Sequence, residues 1–513
     1  MTWTKHGRPA KHKRRSVSGS EESRMKILVT GCTGYIGARL VPRLQSVGHT
    51  VRCMARDPRR LEGRFPGSEV VRGDALDAAS LTAALAGVEV AYYLIHSMIS
   101  GRGDFAKSDR TAAMNFAQAA RTAGVRRLIY LGGLGDPSAR LSPHLRSRQE
   151  VGEILRQQGP PVTEFRAAMI IGSGSASFEM IRYLTERLPF MIAPKWVATR
   201  CQPIAISDVL AYLIQTLERP NTSGKTYEIG GSDILTYRDL MLGYAKMRGL
   251  RRAIVVVPFF TPRLSSYWIH LVTPVPAGIA RPLIEGLRSE TVVRDHIALH
   301  DFAVQPIGFA SALRQALDRN QSEFQEREST WFDAYDVISM PGNFQGLSQG
   351  MLIDRREVDC AASAQALFDV AQSLGGQRGW LYADWLWEIR GLIDTLSGGI
   401  GLRRGRRSAT RLHVGDAIDF WRVDAFEPGR LLRLRAEMKL PGRAWLEFLV
   451  QPHPTGSQLR LTAFFEPRGL FGYIYWYALG PVHNAVFGGM TQAIVRTAQR
   501  PHEPVWHGKL EQL

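Results

Sequence analysis

Cysteine is scarce in this 513-residue chain. Cys32, Cys53, Cys201 and Cys360 are the only four, and none stands in a CxxC spacing. That excludes a disulfide framework and a cysteine-based metal centre, and it fits a reducing, cytoplasmic setting. No metal site is expected. Acid is in deficit, with 47 Asp and Glu against 65 Lys and Arg, a formal net charge of +18. Part of the excess lies in residues 1–24, which have no apolar periodicity and read as a disordered basic tail, with the fold expected from Met25. No nucleic-acid-binding motif follows, so the charge is not read as a nucleic-acid site. The N-terminus also lacks the apolar core of a signal peptide. Long uncharged runs are rare. One, Gly469 to Val495, has no Lys, Arg, Asp or Glu and is long enough to span a bilayer. Pro481, His483, Asn484 and Gln492 suit hydrocarbon poorly, so a buried helix is expected, with peripheral membrane contact left open.

What is present is a repeating βα pattern from residue 25 to about 230. KILVTG, TVRCMAR, EVAYYLIHS and RRLIYLGG read as strands, separated by helical stretches such as YIGARLVPRLQSVG and DRTAAMNFAQAARTAG. Asp77 is placed to cap the helix after GDALD. Short connections between such units specify a doubly wound parallel sheet with helices on both faces. The first βα connection, LVTGCTGYIGARL, carries Gly31, Gly34 and Gly37. Glycines there let the backbone approach a diphosphate, and the helix start supplies unpaired N–H groups and a positive dipole end. At the end of the second strand stand Arg52 and Arg56 in place of the acid expected of an NAD binder, which favours NADP, with NAD as the alternative. Asp74 follows the third strand, where a carboxylate can bond an adenine amino group or simply cap the loop.

These stretches, with TEFRAAMIIGSGS, QPIAISDVLAYL and YEIGGSDILTY, resemble an atypical short-chain dehydrogenase/reductase of the NmrA-like or complex-I-subunit-like branch, over roughly residues 25–240. The resemblance implies a Rossmann domain, here given as residues 25–325. It places Gly31, Thr33, Gly34, Tyr35, Ile36 and Gly37 along the pyrophosphate, Arg56 at the adenosine phosphate and Asp74 at the adenine. Ile95, His96 and Ser97 would pass beneath the nicotinamide ribose. Active members carry a Ser after the fifth strand and a Tyr-x-x-x-Lys on the next helix. This chain has Gly132 and Gly133 at the first position, and HLRSR puts His144 and Arg148 at the other two. Imidazole can exchange protons near neutral pH, and a neighbouring Arg depresses its pKa. The expectation is therefore an NAD(P)-dependent oxidoreductase lacking the usual Ser/Tyr/Lys set. The alternative is a non-catalytic NADP(H) sensor or ligand carrier.

Polar residues around 317–330 mark a domain boundary. Beyond it, RLLRLRAEM, AWLEFLV and QLRLTAFF alternate apolar and polar residues across the turns KLPGRA and HPTGSQ, the pattern of an antiparallel meander with one apolar face. The helical SAQALFDVAQSL precedes it. This region, residues 335–505, resembles a START-like (SRPBCC) domain. The resemblance implies an α+β helix-grip fold whose apolar cavity takes a lipid or other apolar small molecule. Trp380, Trp385, Trp387, Trp421, Trp445 and Trp476 are expected mostly in the core, with a few lining that cavity. Arg403, Arg404, Arg406 and Arg407 form a basic run suited to solvent or to anionic headgroups. Nothing in the sequence sets the oligomeric state.

Overall fold

A computed structural model describes residues 24–61, 63–96, 105–136, 141–257, 284–318, 343–348, 350–396 and 412–500. The basic tail, Ser97, the arginine run 403–407 and almost all of the expected boundary at 317–330 lie outside these residues.

The first domain is built on β1 (Lys26–Thr30), β2 (Thr50–Ala55), β3 (Glu69–Arg72), β4 (Val90–Tyr93), β5 (Arg127–Gly133), β6 (Val162–Ala167) and, after four short strands, β7 (Ile170–Ile171), β8 (Phe190–Pro194), β9 (Arg200–Cys201) and β10 (Ile204–Ala205), on β11 (Thr226–Ile229). The main sheet runs β11-β6-β5-β4-β1-β2-β3, and every pairing in it is parallel. Strand order reverses between β1 and β4. That is the crevice where ligands bind open α/β sheets.

Period-2 alternation splits each strand between two cores. Ile27 and Val29 pack against α1 (Gly37–Ser46) and, further along, α6 (Ile206–Gln215). Leu28 packs on the other face with α2 (Ala78–Leu85), α3 (Phe105–Thr122) and α4 (Pro143–Gln158). Asp77 caps α2 as expected, accepting from the Ala79 amide at 3.1 Å. Ser142 caps α4 through the Leu145 amide. Two further helices, α5 (Ala176–Arg187) and α7 (Tyr237–Arg248), stand at the far side of the domain, α7 opened by a Thr236/Asp239 capping box. The short strands β12 (Leu235–Thr236) and β13 (Ala253–Val257) and helices α8 (Ile297–Asp301) and α9 (Phe309–Leu317) complete it.

The second domain is an antiparallel sheet of β14 (Phe344–Ser348), β15 (Met351–Cys360), β16 (Ala417–Ile418), β17 (Trp421–Glu427), β18 (Leu431–Ala436), β19 (Gly442–His453) and β20 (Gly456–Pro467), in the order β14-β15-β20-β19-β18-β17-β16. Its helices are α10 (Ala364–Gln372), α11 (Asp384–Leu396), α12 (Gly469–Ala478) and α13 (Gly480–Gln499). The meander and both predicted turns are present. Leu432, Leu434, Leu446, Phe448, Leu459 and Leu461 face α10 and α13. The opposite face pairs charges across strands in register, Arg433 with Glu447 at 2.6 Å and Arg460 with Glu357 at 2.5 Å.

One expectation is corrected. The uncharged run 469–495 is not one buried helix. It breaks at Leu479, ahead of Pro481, into α12, which packs Tyr473 against Tyr183, Leu352 and Phe465, and α13, which is anchored by Val486, Phe487, Met490, Ile494 and Val495. No described helix is long and apolar enough to cross a membrane. Most of the six tryptophans pack in the core, as expected. Trp380, Trp421 and Trp445 are buried, Trp387 stacks on Trp380, and Trp385 is 60% exposed. Trp476 borders a crevice of about 360 Å³ at the junction of the two domains, shared with Arg187, Leu347, Leu352, Tyr477 and His483.

Candidate dinucleotide site

The loop from β1 to α1 is shaped by close approach. Gly31 has φ +67°, and a Cβ there would lie 2.7 Å from the Leu94 carbonyl oxygen at the end of β4. A Cβ on Gly37 would overlap the Gly31 carbonyl, 2.8 Å from its carbon and 3.1 Å from the Cys32 Cα. The loop therefore folds tightly onto the start of α1. The Ala38 and Leu40 amides are taken by the Gly34 and Ile36 carbonyls at 3.0 and 2.9 Å. The Thr33, Ile36 and Gly37 amides take no backbone carbonyl among the described residues. They remain at the positive end of α1, where an anion is favoured. Tyr35 is buried with the Arg39 guanidinium 4.2 Å above its ring, so its side chain braces the loop from below.

The second-strand arginines separate. Arg52 is buried, and its guanidinium donates to the Ala84 and Ala86 carbonyls at 2.7 and 2.8 Å and pairs with Glu69. It closes the C-terminal end of α2 and is not available to a ligand. Arg56 is exposed and has no partner among the described residues. Asp74 caps its own turn, accepting from the Leu76 amide at 3.0 Å, while its amide donates to Ser80. This is the loop role considered for it, and it uses only Oδ1.

Beyond β4 and β5 the structure assembles a buried polar cluster. His96 follows β4, two residues past Leu94, and its ring centroid is 4.9 Å from that of His144 on the first turn of α4. Asp109 of α3 is 4% exposed, with Oδ2 3.3 Å from His96 Nδ1 and 3.2 Å from the Ser147 hydroxyl. Arg148 donates to the Leu131 carbonyl and lies over the Tyr130 ring. Ile95 is half-buried beside His96. Gly133 cannot give way to the missing Ser without disturbance, because a Cβ there would sit 2.9 Å from Leu145 Cδ2.

Asp109 and Ser147 were not singled out from the sequence. A signal existed for Asp109, which stands in line with Ala112, Ala113, Phe116, Ala117 and Ala120 on the inward stripe of α3. An acid on an apolar stripe needs a partner.

Burial pushes His144 well below the usual imidazole range, and the neighbouring His96 and Arg148 push the same way. The direction is the one expected from Arg148, but burial is the larger cause. Burial also lowers His96, against the pull of Asp109. His483, in the second domain, is pushed down to about 4 by burial. All three are neutral in the folded protein at pH 7. Between the folded pKa and the ordinary value of about 6.5 the unfolded chain binds more protons, so stability is lost as pH falls through this range. We expect the melting temperature to hold above about pH 6.5 and to decline below it, with a shallower decline in His144→Gln. A melting temperature flat from about pH 7 to about pH 5 would contradict neutral burial.

Residues 23–277 match the NmrA-like family, and residues 347–490 match a family of unknown function, DUF2867. The chain is 27% identical over 304 residues to NADH dehydrogenase [ubiquinone] 1 alpha subcomplex subunit 9 of Arabidopsis thaliana, covering 56% of this chain and 75% of the relative. It is 29% identical over 231 residues to the (4-alkanoyl-5-oxo-2,5-dihydrofuran-3-yl)methyl phosphate reductase of Streptomyces griseus, covering 44% and 74%. Among solved structures, the Citrobacter sp. triphenylmethane reductase complexed with NADP(H) aligns at 20% identity and a TM-score of 0.47, over 57% of this chain and all of that one. With its parallel sheet, switch point and glycine loop, the N-terminal domain is a Rossmann domain, and it is this domain that matches the NmrA-like family.

Proposed function

We propose that the protein is an NADP(H)-dependent oxidoreductase acting on an apolar substrate. The observation that carries this reading is the glycine loop, packed so tightly that Gly37 admits no Cβ and leaves its amides at the switch point. In this reading the Thr33, Ile36 and Gly37 amides and the α1 dipole hold the diphosphate. Gly31, Gly34 and Tyr35 shape the turn that presents them. Arg56 meets the 2′-phosphate, and Asp74 offers its second carboxylate oxygen to the adenine. Ile95 and His96 flank the nicotinamide ribose, joined by Ser97 from the sequence. When bound, the cofactor supplies or takes up hydride.

His144 is the residue proposed to handle the proton. It is neutral, partly accessible, and fixed against His96, which Asp109 orients from behind. A neutral imidazole donates one hydrogen bond to a substrate oxygen and stabilises the negative charge that develops there. Burial keeps it neutral, with His96 and Arg148 adding to the effect, and Arg148 is itself held by the Leu131 carbonyl. The name of the Streptomyces relative, a reductase, agrees with this class of reaction. The START-like reading of the second domain is supported by the way its sheet wraps α10 and α13. Core side chains fill that concave face, so an apolar ligand is proposed at the junction crevice.

Calorimetry with NADPH, NADP, NADH and NAD tests the binding. NADPH should bind best, and Arg56→Ala should weaken it about tenfold to a hundredfold, the worth of one charged hydrogen-bonded contact, while leaving NADH unchanged. Equal weakening of both would remove Arg56 from the phosphate, and silence with all four dinucleotides would end the proposal. Where NADPH oxidation is seen with carbonyl or quinone acceptors, His144→Gln should slow it about a hundredfold at unchanged NADPH affinity. The glycine that stands at Gly133 in place of the usual Ser favours a second reading, a binding-only NADP(H) sensor or carrier. Under it, NADPH binds and no acceptor is reduced.

A further inference from the structure

The second domain turns two apolar helix faces toward solvent. On α11, Trp385, Ile389, Leu392, Ile393 and Leu396 are 47–79% exposed, while Trp387, Gly391 and Asp394 point inward. The spacing 385, 389, 392, 396 is one stripe, and it lies on the side of the helix where a soluble domain places polar residues. On α12, Leu470, Phe471, Ile474 and Tyr477 are exposed, Phe471 at 79%, while Gly472 and Tyr473 face inward.

The two helices clamp the same hairpin turn. Arg390 of α11 donates to the Lys439 carbonyl at 3.1 Å, and Asp394 accepts from the Lys439 amide at 2.6 Å. Gly472 of α12 lies so close to the Pro441 carbonyl that a Cβ would come within 2.5 Å of its oxygen, and the Arg468 amide donates to that carbonyl at 2.9 Å. Both exposed stripes therefore flank residues 439–441 and form one surface. Contiguous apolar area of this kind on a soluble domain marks a contact site.

Charge identifies the occupant. The exposed Lys439, Arg443 and Arg468 border the patch. The chain leaves α11 at Leu396 and, in the stretch to Val414, carries Arg403, Arg404, Arg406, Arg407 and Arg411 with no acid. A second copy of the chain would bring the same positive charge against itself. An anionic lipid surface accepts both the cations and the apolar side chains, with Trp385 and Tyr477 suited to the headgroup boundary.

We propose that the outer faces of α11 and α12 dock the protein peripherally on an anionic phospholipid bilayer. The test is co-sedimentation of the full chain with phosphatidylcholine vesicles, with and without phosphatidylglycerol. Binding is expected only with phosphatidylglycerol, weakening as salt rises. Leu392→Glu or Phe471→Glu should each reduce it about tenfold or more, since each removes one large exposed apolar side chain that the bilayer would bury and adds a like charge to the lipid. Circular dichroism and NADPH titration of the variants establish that they are folded. No partition into anionic vesicles overturns the proposal. So does a dimer in sedimentation velocity that the same variants dissociate without any vesicle binding. Protection of Trp385 from acrylamide in the free protein, by the chain's own remaining segments, overturns it as well.

Discussion

Glu186→Ala is expected to cost about 3–5 kcal/mol of stability and to separate the unfolding of the two domains, because it breaks a buried charge network at their junction. Glu186, at the C-terminal end of α5, is 3% exposed. It accepts from Tyr244 at 2.8 Å, from Arg248 at 2.7 Å and, across the junction, from the Gly469 amide at 2.6 Å. Arg248 in turn reaches Glu466 at 3.3 Å and the Pro467 carbonyl at 3.1 Å, both in the second domain. Burial by itself would lower the Arg248 pKa, but Glu186, Tyr244 and Glu466 outweigh it and hold the guanidinium charged. Alanine leaves that cation, the Tyr244 hydroxyl and the Gly469 amide short of their acceptor in a place water cannot fill. Glu186→Gln keeps acceptor oxygen and volume and should cost less. Nearby, the Tyr183 hydroxyl accepts from the Gly350 amide at 2.7 Å and the Arg187 guanidinium lies 4.4 Å over the Tyr473 ring, so the junction is held by more than one contact. Differential scanning calorimetry reads the outcome. A single unshifted transition for Glu186→Ala would mean that the network carries little of the junction.

The second large effect is expected at Gly37. Gly37→Ala should reduce NADPH affinity by more than about a hundredfold and lower the melting temperature, because its Cβ would lie 2.8 Å from the Gly31 carbonyl carbon and force β1 and α1 apart. Gly34→Ala separates the two consequences. A Cβ there meets only the Gly31 oxygen at 3.2 Å, so the fold should barely notice while the face turned to the diphosphate gains a methyl group. Affinity should then fall in both variants and stability chiefly in Gly37→Ala. Full NADPH affinity in Gly37→Ala, measured by calorimetry, would mean that this loop does not hold the diphosphate.

The fold of the first domain was legible because its rules are local. Apolar strands alternating with amphipathic helices, short connections and a cap such as Asp77 leave few topologies open. The glycine loop was legible for the same reason, since the backbone requirement and the residue that meets it share a position. Arg52 shows the limit. Its place beside Arg56 suggested a ligand role, yet Arg52 turns inward to the carbonyls ending α2, and no sequence spacing reports which way a strand residue at a sheet margin points.

By itself, then, the sequence determined a parallel Rossmann sheet with a diphosphate-ready loop, an antiparallel second domain, and the loss of the usual Ser/Tyr/Lys set. The first two follow from periodicity and from residue types at fixed offsets, and the third from the resemblance to short-chain dehydrogenase/reductases. Only the tertiary structure decided that His96, Asp109 and Ser147 gather around His144, that Glu186 and Arg248 close the joint with residues more than 200 positions away, and that α11 and α12 turn apolar faces outward on one surface. The physical reason is that burial and charge pairing depend on which elements meet across long stretches of chain, and hydrophobicity along the sequence carries no record of which face a neighbour will cover.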